Sequence, residues 1–478
     1  MRRVGRTGAR HRLLSVLLGV LLLAPLKSGA ATELPDPLIL RGAAVIDGTG
    51  APALENGVVV VEDGLVRCVG PSGECSEPPG ARSVDLEGQW IIPGLVDAHV
   101  HFSQSGWVDG RPDALDLRAD HPYAQAVARL RLHPEPFFRS YLCSGVTSVF
   151  DVGGFPWTWD LRDRTLHRTD APRIAAAGPL LSTRDHWLNL PGERQFLHMR
   201  DRDAVREATD YLLATGTDAV KVWYLAVEGE EAGARQREYL ALAGRWARDA
   251  GVPLIVHATS LEGAKEALEA GATLLVHSVE DELVDGEFLS LARRTGAIYT
   301  PTLTVYEGYG ELRARRFDET RTEAACVDPL TLELARSTAV RPGAPDSVEA
   351  AALEAAAAER WERMAENLRR VHRAGIPVAL GTDAGNPLTL HGAAIFRELE
   401  AFQEAGLQPM EILIAATAHG ALAMGMSEIT GTISPGKSAD LLVLTRDPLE
   451  DIAHLREIRY VIRGGELHSR SDLVFTDD

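Results

Sequence analysis

Two histidines separated by one residue end the apolar run Ile91-Ile92-Pro93-Gly94-Leu95-Val96-Asp97-Ala98-His99-Val100-His101. Successive side chains of a strand point to opposite faces, so His99 and His101 emerge together, roughly 6.5–7 Å apart along the backbone, a spacing that suits two imidazoles on one cation. Taken alone, the pair is equally the polar end of a buried strand. Four more residues share its setting: Lys221 interrupts the apolar stretch 218–223, His257 ends 252–257, His277 ends 273–277, and Asp383 follows 378–382. Each has an ordinary explanation by itself. A histidine at a strand end is commonly structural, a buried lysine commonly has an ion-pair partner, and Thr382-Asp383-Ala384-Gly385 is a common turn sequence. Six such residues at five strand ends describe one site if the strands converge.

The elements that would make them converge are legible as a pattern. Between residues 91 and 429, short apolar runs near 92–99, 145–151, 173–178, 218–224, 252–257, 272–277, 296–302 and 376–382 alternate with helical stretches such as 203–213, 233–249 and 261–270. Repeated βα units imply a parallel sheet, and eight of them imply a (β/α)8 TIM-like barrel of the α/β class. The flanks read differently. Residues 31–90 carry short alternating strands punctuated by Asp47-Gly48, Asp63-Gly64 and Pro78-Pro79-Gly80, and residues 430–478 resume that style, so both chain ends are expected to build one small β-sandwich domain. Two connections, 102–140 and 303–370, are too long to be simple links. At the catalytic face of a barrel they would form a lid or pocket wall.

Composition narrows the setting. With 478 residues, 45% of them hydrophobic, the chain is globular rather than disordered. Arg2, Arg3, Arg6, Arg10 and Arg12 precede an apolar run from Leu13 to Leu26, and Ser28-Gly29-Ala30 follows. That is the pattern of a signal peptide over residues 1–30, cut after Ala30, which places the protein in the periplasm or outside the cell. The run is short for a membrane span, contains Pro25 and has no stop-transfer pattern, so no stable membrane insertion is expected after cleavage. Loss of those residues removes six basic side chains and takes the formal charge from −19 to −25, which disfavours nucleic-acid binding. The four cysteines are scattered and exclude a thiolate zinc module. Cys68 and Cys75 are close enough in sequence for a disulfide, whereas Cys143 and Cys326 read as small core or loop residues.

From the run Pro93-Gly94-Leu95-Val96-Asp97-Ala98-His99-Val100-His101 to Pro435-Gly436-Lys437-Ser438-Ala439-Asp440-Leu441, the sequence resembles the amidohydrolase superfamily. The resemblance implies that His99, His101 and Asp383 hold one divalent ion and His257 and His277 a second. Lys221, carboxylated by carbon dioxide, would bridge the two. Imidazole and carboxylate oxygen suit zinc best. A pair of cations about 3.5–4 Å apart would lower the pKa of a bridging water towards neutrality and polarise a substrate carbonyl. Asp383 would take the proton from the attacking hydroxide and pass it to the leaving nitrogen.

Within that superfamily a mononuclear deaminase needs an acidic residue just after the fifth-strand histidine, and His257 is followed instead by Ala258-Thr259-Ser260. With Lys221, this favours a two-metal hydrolase of carbon–nitrogen bonds. The chain resembles the imidazolonepropionase-like and Xaa-Pro dipeptidase-like branch, which implies a small-molecule or short-peptide substrate: an Xaa-Pro dipeptide or an N-acyl amino acid. It departs from that branch after the third strand, where Leu181-Ser182-Thr183-Arg184-Asp185-His186 replaces a Gly-Gly-His motif. Arg184 or His186 could receive a substrate carboxylate, against the simpler reading of a solvated loop. Tyr224 and Tyr306 could donate to an oxyanion, against ordinary packing. His419 is expected to be structural, and self-association into a homo-oligomer is compatible with the fold. The remaining alternatives are a cyclic-amide hydrolase and a non-catalytic binding protein on the same barrel.

Overall fold

The computed structural model describes residues 35–476; the expected signal segment lies outside them. The chain ends meet in one eight-stranded sheet. Its first strands are β1 (Leu38–Val45), β2 (Leu54–Glu62), β3 (Leu65–Pro71), β4 (Arg82–Asp85) and β5 (Trp90–Pro93). β5 pairs with β1 on one side and, on the other, with a strand from the far end of the chain, Leu441–Leu444, which continues through Ile458–Arg463 and Glu466–Ser469. Side-chain alternation gives this unit two apolar faces: Leu38, Leu40, Val59 and Val61 pack with Ile433, Leu441 and Ile462, while Ile39, Val58 and Val60 pack on the opposite face around Cys75. Cys68 and Cys75 are joined by a disulfide there.

The apolar run that ends in the two histidines is not one strand. It breaks at Gly94, where the chain leaves the end sheet after β5 and enters the parallel-stranded unit as β6 (Leu95–Val100). Gly94 N donates to Asp440 O at 2.8 Å, and the next residue, Leu95, already pairs with the following parallel strand. Any side chain at Gly94 would collide with Thr147, so the crossing requires glycine.

The parallel-stranded unit has the TIM-barrel architecture, carried by two parallel sheets. One is β6, β7 (Val146–Asp151) and β8 (Arg173–Ala176). The other comprises β9 (Leu180–Ser182), β10 (Phe196–His198), β11 (Val220–Trp223), β12 (Leu254–His257), β13 (Leu274–Val276) and β14 (Ile298–Thr300). β9 and β10 are short additions that the polar 181–186 stretch does not announce. The three strands named above from the far end complete the series as β15 (Leu441–Leu444), β16 (Ile458–Arg463) and β17 (Glu466–Ser469).

An eighth regular strand, expected near 376–382, does not form. That segment makes single bridges instead: Ala379 N donates to Tyr299 O at 3.0 Å beside β14, and Ala98 N donates to Leu380 O at 3.0 Å beside β6. The ladder is interrupted by Gly381, where a Cβ would sit 2.6 Å from Thr300 Cγ2 and 2.8 Å from His99 Cβ, and by Asp383, whose φ is 61°. The irregularity coincides with the ligand it presents.

Helices alternate with these strands, and several start where a side chain satisfies a free N–H group. Asp201 caps at Ala204 N, Ser260 at Gly263 N and Asp285 at Phe288 N, each worth about 1 kcal/mol. The insertion after β14 contains the helices Val305–Arg313 and Ser347–Arg373, the second 27 residues long. Cys143 and Cys326, expected to be unpaired, are joined by a disulfide with Cα atoms 5.4 Å apart, which fastens this insertion to the helix Glu135–Cys143. Among the described residues, no helix is long and apolar enough to cross a membrane.

Candidate active site and metal centre

β6 delivers His99 and His101 to one side of a cavity of about 320 Å³, and Lys221, His257, His277 and Asp383 line the same cavity. The six residues singled out by strand-end position therefore share one space. Three of them interlock: His99 Nε2 lies 3.3 Å from His101 Nε2, and Asp383 Oδ1 lies 3.2 and 3.0 Å from those two nitrogens. All three side chains are buried, yet Oδ1 makes no hydrogen bond. Metal–ligand bonds of 2.0–2.1 Å in a tetrahedral shell put neighbouring donor atoms about 3.3 Å apart. Two imidazole nitrogens and an orphaned carboxylate oxygen at these separations fit a divalent cation.

The surroundings aim these donors. His101 Nδ1 donates to Gly153 O at 2.6 Å, which leaves Nε2 with its lone pair facing Asp383. His277 Nδ1 and Thr302 Oγ1 are 2.8 Å apart, and the His277 and His257 rings lie 4.3 Å apart between centroids. Asp383 N donates to His99 O at 2.8 Å, tying the two ligands by backbone as well as side chain. His277, Thr302 and Asp383 adopt φ values of 75°, 46° and 61°, a left-handed conformation that costs non-glycine residues about 1 kcal/mol or more each. Strain on both sides of the constellation marks it as a built site.

Burial sets the charges. It pushes His99 down to about 4 and His257 down to about 3, and His277 well below its usual value, so all three rings are neutral with free lone pairs at neutral pH. Burial likewise pushes Lys221 down to about 7, against the pull of Asp383. Asp383 goes the other way: burial alone would raise it, but His99, His101 and His277 hold it well below the usual carboxylate range.

One supporting residue escapes a search for strand-end ligands. Asp97, on the same face as His99 and two residues before it, accepts from Thr382 N at 2.9 Å and Thr382 Oγ1 at 2.6 Å, and so fixes the residue that precedes Asp383. Burial pushes its carboxyl up to about 7 against those hydrogen bonds. A carboxylate inside an otherwise apolar strand was the available signal. Arg111 of the connection after β6, and Tyr309, Arg313 and Arg360 of the insertion after β14, also line the cavity, and none of them stands out in the sequence.

The expected substrate contacts divide. His186 lines the cavity with Nε2 3.5 Å from Asp113 Oδ2, and Tyr306 lines it while donating its hydroxyl to Glu280. Arg184 is exposed and donates to Ala226 O at 2.9 Å, and Tyr224 donates to Glu266 Oε2 at 2.7 Å; neither lines this cavity. His419 Nδ1 bonds Val378 O at 2.9 Å, the structural place expected of it.

Comparison with known proteins places the chain in a family. The amidohydrolase family model matches residues 90–468. An imidazolonepropionase of Rhizorhabdus wittichii is 25% identical over 466 residues, covering 89% of this chain and 96% of that protein. An ochratoxinase of Aspergillus niger is 25% identical over 486 residues, covering 92% of this chain and 88% of its own. Among solved structures, a Xaa-Pro dipeptidase with methionine bound in its active site superposes with a TM-score of 0.68 at 22% identity, over 91% of this chain and all of the other, a likeness of fold.

Proposed function

The chain belongs to the amidohydrolase family of metal-dependent hydrolases acting on carbon–nitrogen bonds, and from that premise we propose that it cleaves the amide bond of a dipeptide, such as an Xaa-Pro dipeptide, or of an N-acyl amino acid. The observation that carries the reading is the donor triad of His99 Nε2, His101 Nε2 and Asp383 Oδ1, all within 3.3 Å of one another around an oxygen without a hydrogen bond. These three residues would hold one divalent ion. His257 and His277 would hold a second, with Lys221 between them, and zinc is the metal that imidazole and carboxylate donors suit best. When bound, such ions supply Lewis-acid polarisation of a carbonyl and a lowered pKa for water.

The chain's own residues do the rest. With Lys221 pushed down to about 7, a large fraction of its amine is unprotonated at neutral pH and can attack carbon dioxide, forming an N–C bond and releasing a proton; the resulting carbamate offers two oxygens where the amine offered one nitrogen. Asp383 Oδ1 faces the two imidazoles, which leaves Oδ2 to accept the proton of the attacking water and return it to the leaving nitrogen. The buried, neutral histidines favour metal over protons. Export to the periplasm or medium belongs to the same proposal. It is supported by the arginine-led apolar segment at residues 1–30 and by two disulfides that use all four cysteines.

The test is metal content together with a hydrolysis screen. The purified chain is expected to carry about two transition-metal ions and to hydrolyse members of a panel of Xaa-Pro dipeptides, other dipeptides and N-acyl amino acids, with a cyclic amide as control. Fewer than one ion per chain after reconstitution sinks the two-metal hydrolase and leaves the non-catalytic binding protein. Turnover of the cyclic amide alone would move the assignment to that class.

A further inference from the structure

Three arginines line the catalytic cavity, and two of them are committed. Arg111 forms a paired contact with Asp113, Nε to Oδ1 and Nη2 to Oδ2, both at 2.9 Å, and also bonds Asn386. Arg360 lies 3.4 Å from Glu280 Oε2 and stacks over the Tyr306 ring at 4.9 Å. Arg313 makes no ion pair or side-chain hydrogen bond among the described residues. Its position is the informative one. It stands at the end of the helix Val305–Arg313, where the catalytic cavity meets a second cavity of about 360 Å³. The two cavities share Tyr306, Arg313 and Arg360 as their common wall.

The second cavity is apolar where it leaves that wall. Leu303, Leu353, Trp361 and Met364 line it, with alanines of the helix Ser347–Arg373 opposite. Two of its carboxylates are taken: Glu307 and Glu311 both turn to Arg397. Glu354 stays at the exposed side. In the catalytic cavity the sole lining carboxylate is Asp383, which the metal site uses. A substrate reaching from the strand ends towards the insertion thus meets Arg313 at the shared wall and then the apolar side of the recess, with the exposed Arg316 at its far rim.

We infer that Arg313 receives the free carboxylate of the substrate and that the second cavity receives its side chain, which makes the substrate an N-acyl amino acid or dipeptide ending in a bulky apolar residue. This rests on the amide-hydrolase reading and narrows it. An arginine–carboxylate pair supplies orientation as well as attraction. A recess this size rewards an aromatic or branched side chain, since binding there follows the apolar area removed from water. The carboxylate expected at Arg184 or His186 from the sequence moves to the insertion, because Arg184 lies outside the cavity and His186 faces Asp113.

The experiment compares N-acetyl-L-phenylalanine, its carboxamide and N-acetyl-L-alanine with the metal-loaded chain and with Arg313→Met and Ala357→Trp, both on exposed helix faces. The wild type should prefer the acid over the carboxamide by at least about tenfold in kcat/KM. Arg313→Met should bring that ratio close to one, through KM rather than kcat. Ala357→Trp, which fills the recess, should cut the phenylalanine-to-alanine preference by at least about tenfold. Retention of the acid preference in the first variant, or of the side-chain preference in the second, overturns the inference. Calorimetric binding of the same three compounds to the chain before metal loading gives a readout independent of turnover. No hydrolysis by the wild type but tighter binding of the phenylalanine acid breaks the enzyme reading and keeps this one, whereas hydrolysis without either preference does the reverse.

Discussion

The strand ends around His99 and the insertion between residues 303 and 373 face the same cavity and are built in opposite ways. At the strand ends the ligand residues are aimed by neighbours: Asp97 holds Thr382, Gly153 holds His101, and the backbone of His99 holds Asp383. Three residues there tolerate left-handed conformations because the packing around them leaves no alternative. The insertion has the looser construction. The first half of the helix Ser347–Arg373 is exposed along its length, and Val348 and Val340 stand 77% and 85% open to solvent. The difference teaches that reactivity and selectivity are lodged in separate parts, one over-determined by its contacts and one free to vary.

Variants can break that division. The largest effect is expected from Asp383→Asn, which keeps the shape and removes the proton acceptor. Turnover should fall by about 10³-fold, measured as kcat beside metal content, and a near-normal rate would remove Asp383 from proton transfer. Lys221→Ala should lower metal content from two ions to one per chain and cut activity by about 10²-fold; unchanged content would dispose of the carbamate bridge. Asp97→Asn touches no substrate, yet metal affinity should drop by about 10–100-fold, read by competition with a chelating dye. If it binds metal normally, the strand ends are less tightly specified than the contacts imply.

The insertion should respond in stability rather than chemistry. Cys326→Ser frees it from the helix Glu135–Cys143 and should lower stability by about 3 kcal/mol, seen as a reduced melting temperature, with turnover on small substrates changed far less. The smallest effect belongs to Val348→Ser, expected to stay within about 0.5 kcal/mol in denaturant melts. A large loss there would mean that this exposed face is covered in solution.

The two parts also differ in what the sequence discloses. His99, His101, Lys221, His257, His277 and Asp383 are legible because a polar residue that ends an apolar strand breaks a period-two pattern that the eye and the physics share. Asp97 breaks the same pattern, but its meaning depends on Thr382, 285 residues away. The eighth strand is extended and apolar in sequence, yet Gly381 and Asp383 interrupt its pairing for the sake of the ligand. Arg313 and Arg111 sit in stretches where charged residues are ordinary, so neither spacing nor type distinguishes them. The Cys143–Cys326 bond spans 183 residues and is invisible to local reasoning.

The crossing at Gly94 carries a consequence for how this molecule could be taken apart. The strand that supplies two of the candidate ligands is continuous with one that is hydrogen-bonded on both sides in the end sheet, to β1 and to β15. A gene fragment starting after residue 94 would lose the partner of β15 and expose its edge to other chains. Its first candidate ligand would then lie within a few residues of a fraying terminus. The end sheet is thus the anchorage of the catalytic strand, and shortened versions of this protein should be designed around it rather than without it.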